Sequence, residues 1–165
     1  MTPEELDRKS TQDSDLLPAR WPFVAVIAAS IAARGGALWL PVAWLLAKSG
    51  RRRTALLALR AGAVAMPLGH LLSLLIPRRR PHTNLPARRA LPEHPDSSSF
   101  PSKHAMIAAA FGAAVALEDP PAALFVTPLV LLVAYSRLRT RVHWPTDVAG
   151  GLVLGVLVAL GLKKR

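Results

Sequence analysis

Residues 102–117 read SKHAMIAAAFGAAVAL, an apolar stretch that carries no charge after its first three positions. Alanine and leucine favour helices, and a helix needs roughly 20 apolar residues to cross a bilayer. Comparable stretches lie at 54–76, 122–136 and 146–162. The sequence therefore predicts an all-α fold, a polytopic membrane helical bundle of about five or six transmembrane helices.

The rest of the chain sets the domain limits. The chain has 165 residues, 52% of them hydrophobic, with a mean hydropathy of +0.31 and no cysteine. Residues 1–20 form a polar N-terminal segment, and 21–165 are predicted to form a single membrane-embedded domain. Residues 21–33 either lie at the membrane interface or begin a first crossing that 35–47 completes. Without cysteine, disulfides and thiolate metal sites are excluded.

The net charge of +11 has three interpretations: nucleic-acid binding, membrane topology with anionic headgroups, and phosphate binding. The basic residues flank apolar spans and do not form one soluble face, which argues against nucleic acid. A combination of the other two interpretations is favoured. The expected partners are the bilayer and a lipid phosphate substrate; the sequence does not indicate an oligomeric state.

Counting the crossings places three polar segments at one end of the bundle. These segments follow the second span, precede the third, and join the fourth to the fifth. The other end carries the basic cluster 48–53 and the C-terminal 163–165, which we expect in the cytoplasm. The polar segments would then face the extracytoplasmic side of a bacterial plasma membrane.

Arginines in these polar segments are candidate phosphate ligands. A guanidinium group donates paired hydrogen bonds to phosphate oxygens. Arg80 and Arg137 are the predicted clamps, with Arg78 in support. The alternative for residues 78–80 is a plain charge cluster at a helix end.

The segment before the third span combines Ser102, Lys103 and His104. Ser102 can cap the helix, and the N–H groups of a helix N-terminus favour an anion. A plain cap is the alternative. A histidine at the edge of a span is costly without a task or a partner, so His104 is predicted to protonate a departing oxygen.

His143 and Asp147 lie four residues apart at the start of the fifth span, where Pro145 fits the first helical turn. The carboxylate can hold one ring nitrogen of the histidine and leave the other as a nucleophile. Asp147 could instead only cap the helix. Zinc bound by His104, His143 and Asp147 is disfavoured because the arginines would repel a cation. No metal and no cofactor are predicted.

These residues resemble the motifs of the type 2 phosphatidic acid phosphatase (PAP2) superfamily: K-x6-R-P, P-S-G-H and S-R-x5-H-x3-D. The third motif is complete from Ser136 to Asp147, whereas Ser73 replaces the first-motif lysine and Lys103 replaces the glycine of the second. The resemblance implies a PAP2-like bundle with the catalytic residues His143, Asp147 and His104. It also implies that the phosphate is bound by Arg80, Ser102 and Arg137, to which Lys103 and Arg78 are added as candidates.

The implied activity is metal-independent removal of phosphate from a polyprenyl (di)phosphate-type lipid through a phosphohistidine, as in short bacterial undecaprenyl-diphosphate phosphatases. Polyprenyl-phosphoryl-phosphoribose, phosphatidate and phosphatidylglycerophosphate are alternative substrates. Ser73 and Lys103 leave open a catalytically decayed protein that binds anionic lipid. A vanadium-dependent haloperoxidase, from the same superfamily, is disfavoured because such proteins are soluble and larger.

Overall fold

The computed structural model describes Glu5, residues 36–81 and residues 97–164, and it is helical without any strand in these ranges. Five helices follow one another along the described chain: α1 (Trp39–Lys48), α2 (Arg52–Leu75), α3 (Lys103–Glu118), α4 (Pro120–Arg139) and α5 (Pro145–Lys163). The predicted segments 1–20 and 21–33 lie outside the described residues, apart from Glu5.

Helix α3 forms the centre of the bundle. It packs against α5, α2 and α4, while α1 packs on α2. Ala108, Ala110, Phe111 and Val115 of α3 are fully buried. Because alanine is small, the surrounding helices approach α3 closely. A helix that is buried on all sides has apolar residues on every face. This explains why α3 shows no amphipathic pattern in the sequence.

Glycines in α5 allow the closest of these approaches. A Cβ added at Gly151 would lie 2.6 Å from the carbonyl oxygen of Ser102, and one at Gly155 would overlap the carbonyl oxygen of Met106. Small residues let helix backbones meet in this way. The start of α5 is thereby held directly against the start of α3.

The outer faces of the bundle are apolar. α2, α4 and α5 are long and apolar enough to cross a membrane. Large side chains such as Phe125, Leu124 and Leu74 stand 80%, 75% and 68% exposed. A water-soluble protein rarely exposes such a continuous apolar surface. The chain is therefore a multi-pass membrane protein, and the predicted all-helical membrane bundle is confirmed.

The two ends of the bundle differ in character. At one end Arg51 pairs with Asp119 at 2.6 Å, and Arg53 with Glu118 at 2.9 Å. At the other end, the residues that follow α2 lie next to the segments that precede α3 and α5. The crossings counted from the sequence therefore placed the polar segments at the same end correctly.

Candidate active site

The site is built on a set of hydrogen bonds between residues 78–80 and 97–99. The backbone N–H of Ser99 donates to the Arg78 carbonyl at 2.9 Å, and the Arg78 N–H donates to Ser98 Oγ at 3.0 Å. Ser98 Oγ in turn donates to the Ile76 carbonyl at 2.7 Å. We call this arrangement the neck. It fixes where the segment before α3 meets the end of α2.

Arg80 ties the neck to the loop before α5. Its Nη1 donates to the Val142 carbonyl at 2.6 Å, and its Nε donates to the Ser97 carbonyl at 3.0 Å. Its Nη2 reaches Ser97 Oγ and the Ser98 carbonyl, both at 3.2 Å. Burial lowers the pKa of Arg80, with the charge of Asp147 opposing that shift, but a guanidinium stays protonated in proteins. The predicted phosphate clamp thus also supports the loops of the site.

His143 is 6% exposed and is held by a backbone carbonyl. Its Nδ1 lies 2.7 Å from the Ser99 carbonyl oxygen and 3.8 Å from Asp147 Oδ2. A carbonyl only accepts, so Nδ1 carries the hydrogen and the lone pair resides on Nε2. The sequence predicted that Asp147 would hold this nitrogen. In the structure Ser99 makes the hydrogen bond, and Asp147 acts on the ring through its charge.

The electrostatic surroundings keep the His143 ring neutral. Burial is the largest effect and lowers its pKa, and the charge of Arg80 lowers it further. Asp147 and the Ser99 carbonyl oppose these effects without reversing them. A neutral imidazole at neutral pH is the form that a nucleophile requires.

Asp147 is fully buried, and its two carboxylate oxygens accept hydrogen bonds from Arg78 and from the Trp144 backbone. Arg78 Nη1 lies 2.6 Å from Oδ1, and the Trp144 N–H donates to Oδ2 at 2.9 Å. Arg78 Nη1 also donates to Thr146 Oγ1 at 2.7 Å. Asp147 therefore caps α5, as the alternative interpretation held, and is also paired with a cation. Arg78, predicted as a supporting phosphate ligand, here contacts Asp147.

Ser102 stands at the N-cap of α3 but makes no capping hydrogen bond with its side chain. Its backbone N–H donates to the Asp147 carbonyl at 3.0 Å. Its Oγ is buried and has no hydrogen-bond partner in the part of the chain that the structure describes. The predicted cap is therefore wrong, and the hydroxyl remains available for a ligand at the helix N-terminus. His104 follows in the first turn of the same helix.

Arg137 lies in the last turn of α4, only 3% exposed. Its Nε donates to Ser136 Oγ at 3.2 Å. Lys103 begins α3 and lies against Gly69 of α2. All the predicted site residues therefore come from the same end of the bundle, from the ends of α2 and α4 and the starts of α3 and α5.

The sequence did not indicate the parts played by Ser99 and Trp144. Ser99 contributes its carbonyl oxygen, which every residue type carries. Trp144 Nε1 donates to the Arg79 carbonyl at 3.0 Å and fastens the start of α5 to the neck. For Trp144, the sequence showed only that a tryptophan directly follows His143. Within the described ranges, no group of three or more His, Cys, Asp or Glu side chains could hold a metal ion.

The family model described as the PAP2 superfamily matches residues 54–164. The chain belongs to this superfamily. The match includes every predicted site residue, so the resemblance drawn from the three motifs is confirmed at the level of the family.

Several curated relatives are similar over most of this chain. The bacitracin transport permease protein BcrC of Bacillus licheniformis is 36% identical over 75% of this chain and 61% of its own length. An undecaprenyl-diphosphatase of Sulfolobus acidocaldarius is 31% identical over 72% of this chain and 58% of its own length. A decaprenylphosphoryl-5-phosphoribose phosphatase of Mycobacterium tuberculosis is 36% identical over 73% of this chain and 67% of its own length. The chain thus matches about six tenths of the length of the first two relatives.

Two crystal structures share the fold. One is a transmembrane PAP2-type phosphatidylglycerolphosphate phosphatase from Bacillus subtilis, with a TM-score of 0.74 and 24% identity over 98% of this chain and 84% of that one. The other is LpxE of Aquifex aeolicus, with a TM-score of 0.71 and 23% identity over 98% of this chain and 94% of that one. These similarities confirm the predicted PAP2-like architecture.

Proposed function

We propose that this chain is a membrane lipid phosphatase that releases phosphate from a polyprenyl diphosphate-type lipid through a phosphohistidine at His143. The observation that carries the proposal is the buried, neutral imidazole whose Nδ1 is bonded to the Ser99 carbonyl. Asp147 and Arg80 flank this ring with opposite charges. Such a ring presents the lone pair of Nε2 as a nucleophile.

The first step transfers the phosphoryl group to the protein. Nε2 of His143 forms a bond to phosphorus as the bond from phosphorus to the lipid-side oxygen breaks. The departing oxygen takes a proton from His104, which acts as the general acid. The imidazole becomes positively charged on phosphorylation, and the carboxylate of Asp147 near Nδ1 stabilises that charge.

The second step returns the protein to its starting state. The now neutral His104 accepts a proton from water, and the water oxygen bonds to phosphorus as the N–P bond breaks. Inorganic phosphate leaves, and His143 regains its lone pair. Arg80, Arg137 and Ser102 would bind the equatorial phosphate oxygens in both steps, because phosphoryl transfer depends mainly on positioning and charge.

The substrate class is supported by the relatives' names. An undecaprenyl-diphosphatase and a decaprenylphosphoryl-5-phosphoribose phosphatase both act on polyprenyl-linked phosphates, and both align with most of this chain. A polyprenyl diphosphate is the substrate we favour, with a role in metabolism of cell-envelope lipid carriers. The phosphoribose lipid is the second candidate, since that relative is the more identical of the two.

We further propose that the site faces the extracytoplasmic side of a bacterial plasma membrane. The opposite end retains the cluster 48–53 and Lys163, which favour the cytoplasm. The chain has no cysteine, so a single cysteine placed within 82–96 reports the orientation. Labelling by an impermeant reagent in intact cells is expected; labelling only after lysis would reverse the topology.

The activity is tested by measuring phosphate release from polyprenyl diphosphate, polyprenyl-phosphoryl-phosphoribose and phosphatidate by the full chain in detergent with EDTA. We expect the diphosphate to be hydrolysed with the highest kcat/KM. Loss of activity with EDTA and recovery with a divalent cation would contradict metal independence.

His143→Ala should abolish phosphate release, and His70→Ala, on an exposed position of α2, should leave it unchanged. A wild-type chain that hydrolyses none of the lipids and does not bind vanadate would be a decayed, lipid-binding member of the family. Vanadate binding distinguishes these cases because vanadate resembles the phosphoryl group in transfer.

A further inference from the structure

The side chain of Lys103 lies along a glycine of the neighbouring helix α2. A Cβ at Gly69 of α2 would stand 3.3 Å from Lys103 Cγ and 3.9 Å from Lys103 Cα. The missing side chain at position 69 therefore leaves room for the stem of the lysine. Lys103 is neither fully exposed nor buried, so its stem is packed while its ammonium group can reach the site.

The charges around Lys103 are unbalanced. The guanidinium group of Arg80 is near enough to repel the ammonium group of Lys103. Neither a carboxylate nor another acceptor in residues 36–81 and 97–164 is bonded to the ammonium group. Two cations brought together repel one another unless an anion lies between them. The arrangement therefore favours an anionic ligand in contact with both.

A second, independent observation indicates a ligand at the same place. Ser102, the residue before Lys103, is fully buried, yet its Oγ has no partner among the described residues. The hydroxyl stands at the N-terminus of the 16-residue helix α3, where unpaired backbone N–H groups attract anions. A buried hydroxyl without a partner is costly, and a phosphate oxygen would satisfy it.

The position that the first PAP2 motif gives to lysine holds an uncharged residue in this chain, and Arg78 already has an acidic partner. Ser73 is 5% exposed, and its hydroxyl donates to the His70 carbonyl of its own helix at 2.7 Å. Arg78 pairs with Asp147. Neither residue therefore supplies a charge directed only at a ligand, whereas Lys103 carries a charge and lies at the N-terminus of α3 beside Ser102.

We propose that Lys103 is a phosphate-binding residue whose ammonium group, together with Arg80 and Ser102 Oγ, holds the transferred phosphate of the lipid. The proposal deepens the phosphatase function above and rests on it. In this chain the additional cation comes from the first residue of α3, at a position that the second PAP2 motif gives to glycine.

The test compares Lys103→Met with Lys103→Arg and with Lys48→Met, a control at the opposite end of the bundle. Methionine keeps the apolar stem and removes the charge. A hydrogen bond to a charged group corresponds to a loss of about 10- to 100-fold, so kcat/KM for the lipid diphosphate should fall by about that factor. Lys103→Arg should retain most of the activity, and Lys48→Met all of it, with unchanged melting temperatures throughout.

Inorganic vanadate and inorganic phosphate provide a readout that does not require turnover. Lys103→Met should weaken vanadate binding and raise the inhibition constant of inorganic phosphate by similar factors. If only the lipid's KM changes, the lysine binds another part of the lipid, and the proposal is overturned. Wild-type affinity for vanadate in Lys103→Met would overturn it as well.

The two proposals fail in different ways. A wild-type chain that hydrolyses no lipid phosphate refutes the phosphatase function, and vanadate binding then still decides whether Lys103 contacts the anion. An active wild type with an equally active Lys103→Met refutes only the role of the lysine.

Discussion

Replacing Gly151 with alanine should move the start of α5 away from the start of α3. A Cβ at this position would lie 2.6 Å from the Ser102 carbonyl oxygen and 3.3 Å from Met106 N. Carbon atoms rest at about 3.5 Å or more from their neighbours. The starts of α3 and α5 must therefore move apart by roughly 0.9 Å. Since α3 carries His104 and α5 follows His143, the change alters the distance between the proposed nucleophile and the proposed acid.

The expected effect on activity follows from this displacement. A shift of about 1 Å in a catalytic geometry can cost roughly 100-fold, so Gly151→Ala should lower kcat/KM by about 10- to 100-fold. Overpacking costs about 1–3 kcal/mol, and the gain in helix propensity returns up to about 1 kcal/mol. The free energy of unfolding should therefore fall by up to about 2 kcal/mol, which is a modest drop in melting temperature.

Gly161→Ala is the matched control, since nothing lies within 4 Å of a Cβ there and the residue belongs to the same helix. It should raise stability by about 0.5–1 kcal/mol and leave activity unchanged. Phosphate release and thermal unfolding in the same detergent would be measured for both variants. Unchanged kcat/KM in a folded Gly151→Ala protein would refute the view that the spacing of α3 and α5 sets the catalytic geometry.

Three further predictions concern the charged groups. Because burial lowers the pKa of His143 below its usual value near 6.5, the acid limb of the kcat/KM profile that reports the nucleophile should have its inflection below about pH 6.5; an inflection above that value would contradict the assignment. By the same sign, the unfolded chain takes up this proton first, so His143 lowers stability as the pH falls below about 6.5. Arg78→Met should cost about 3 kcal/mol in the free energy of unfolding, because it leaves the fully buried Asp147 without its ion pair. Asp147→Asn should cost less, since Arg78 is 28% exposed and can be hydrated; a reversed order in denaturant unfolding would contradict this reasoning. Arg80→Lys keeps the charge but loses the bonds of the planar fork, so stability should fall by about 2 kcal/mol together with activity, and equal unfolding midpoints would speak against a supporting role.

The sequence was sufficient to predict the architecture and to place the candidate site residues at one end of the bundle. Charge-free alanine- and leucine-rich stretches gave the helices, and the polar residues at their ends indicated which ends meet. The spacing of His143 and Asp147 around Pro145 placed the histidine just before α5, as the structure has it. These features depend on side-chain type and periodicity, which a sequence states directly.

The contacts within the site could not be predicted in the same way. Ser99 holds His143 through its backbone carbonyl, which has no side-chain signature. Arg78 was assigned to phosphate because its charge is visible in the sequence, whereas its proximity to Asp147 depends on how two distant segments pack. Ser102 was assigned a capping bond from its position alone, and its Oγ does not make that bond. Each difference arises from tertiary packing over long sequence separations.

The neck has a consequence for how this enzyme family can diversify. The hydrogen bonds that join Arg78 and Arg80 to the segment 97–99 hold residues 78–80 and 97–99 next to each other. We therefore expect insertions, deletions or exchanges between residues 81 and 97 to leave these hydrogen bonds, and the positions of the candidate site residues, unchanged. The sequence between these two segments can therefore change in length and composition during evolution without moving His143 or Arg80.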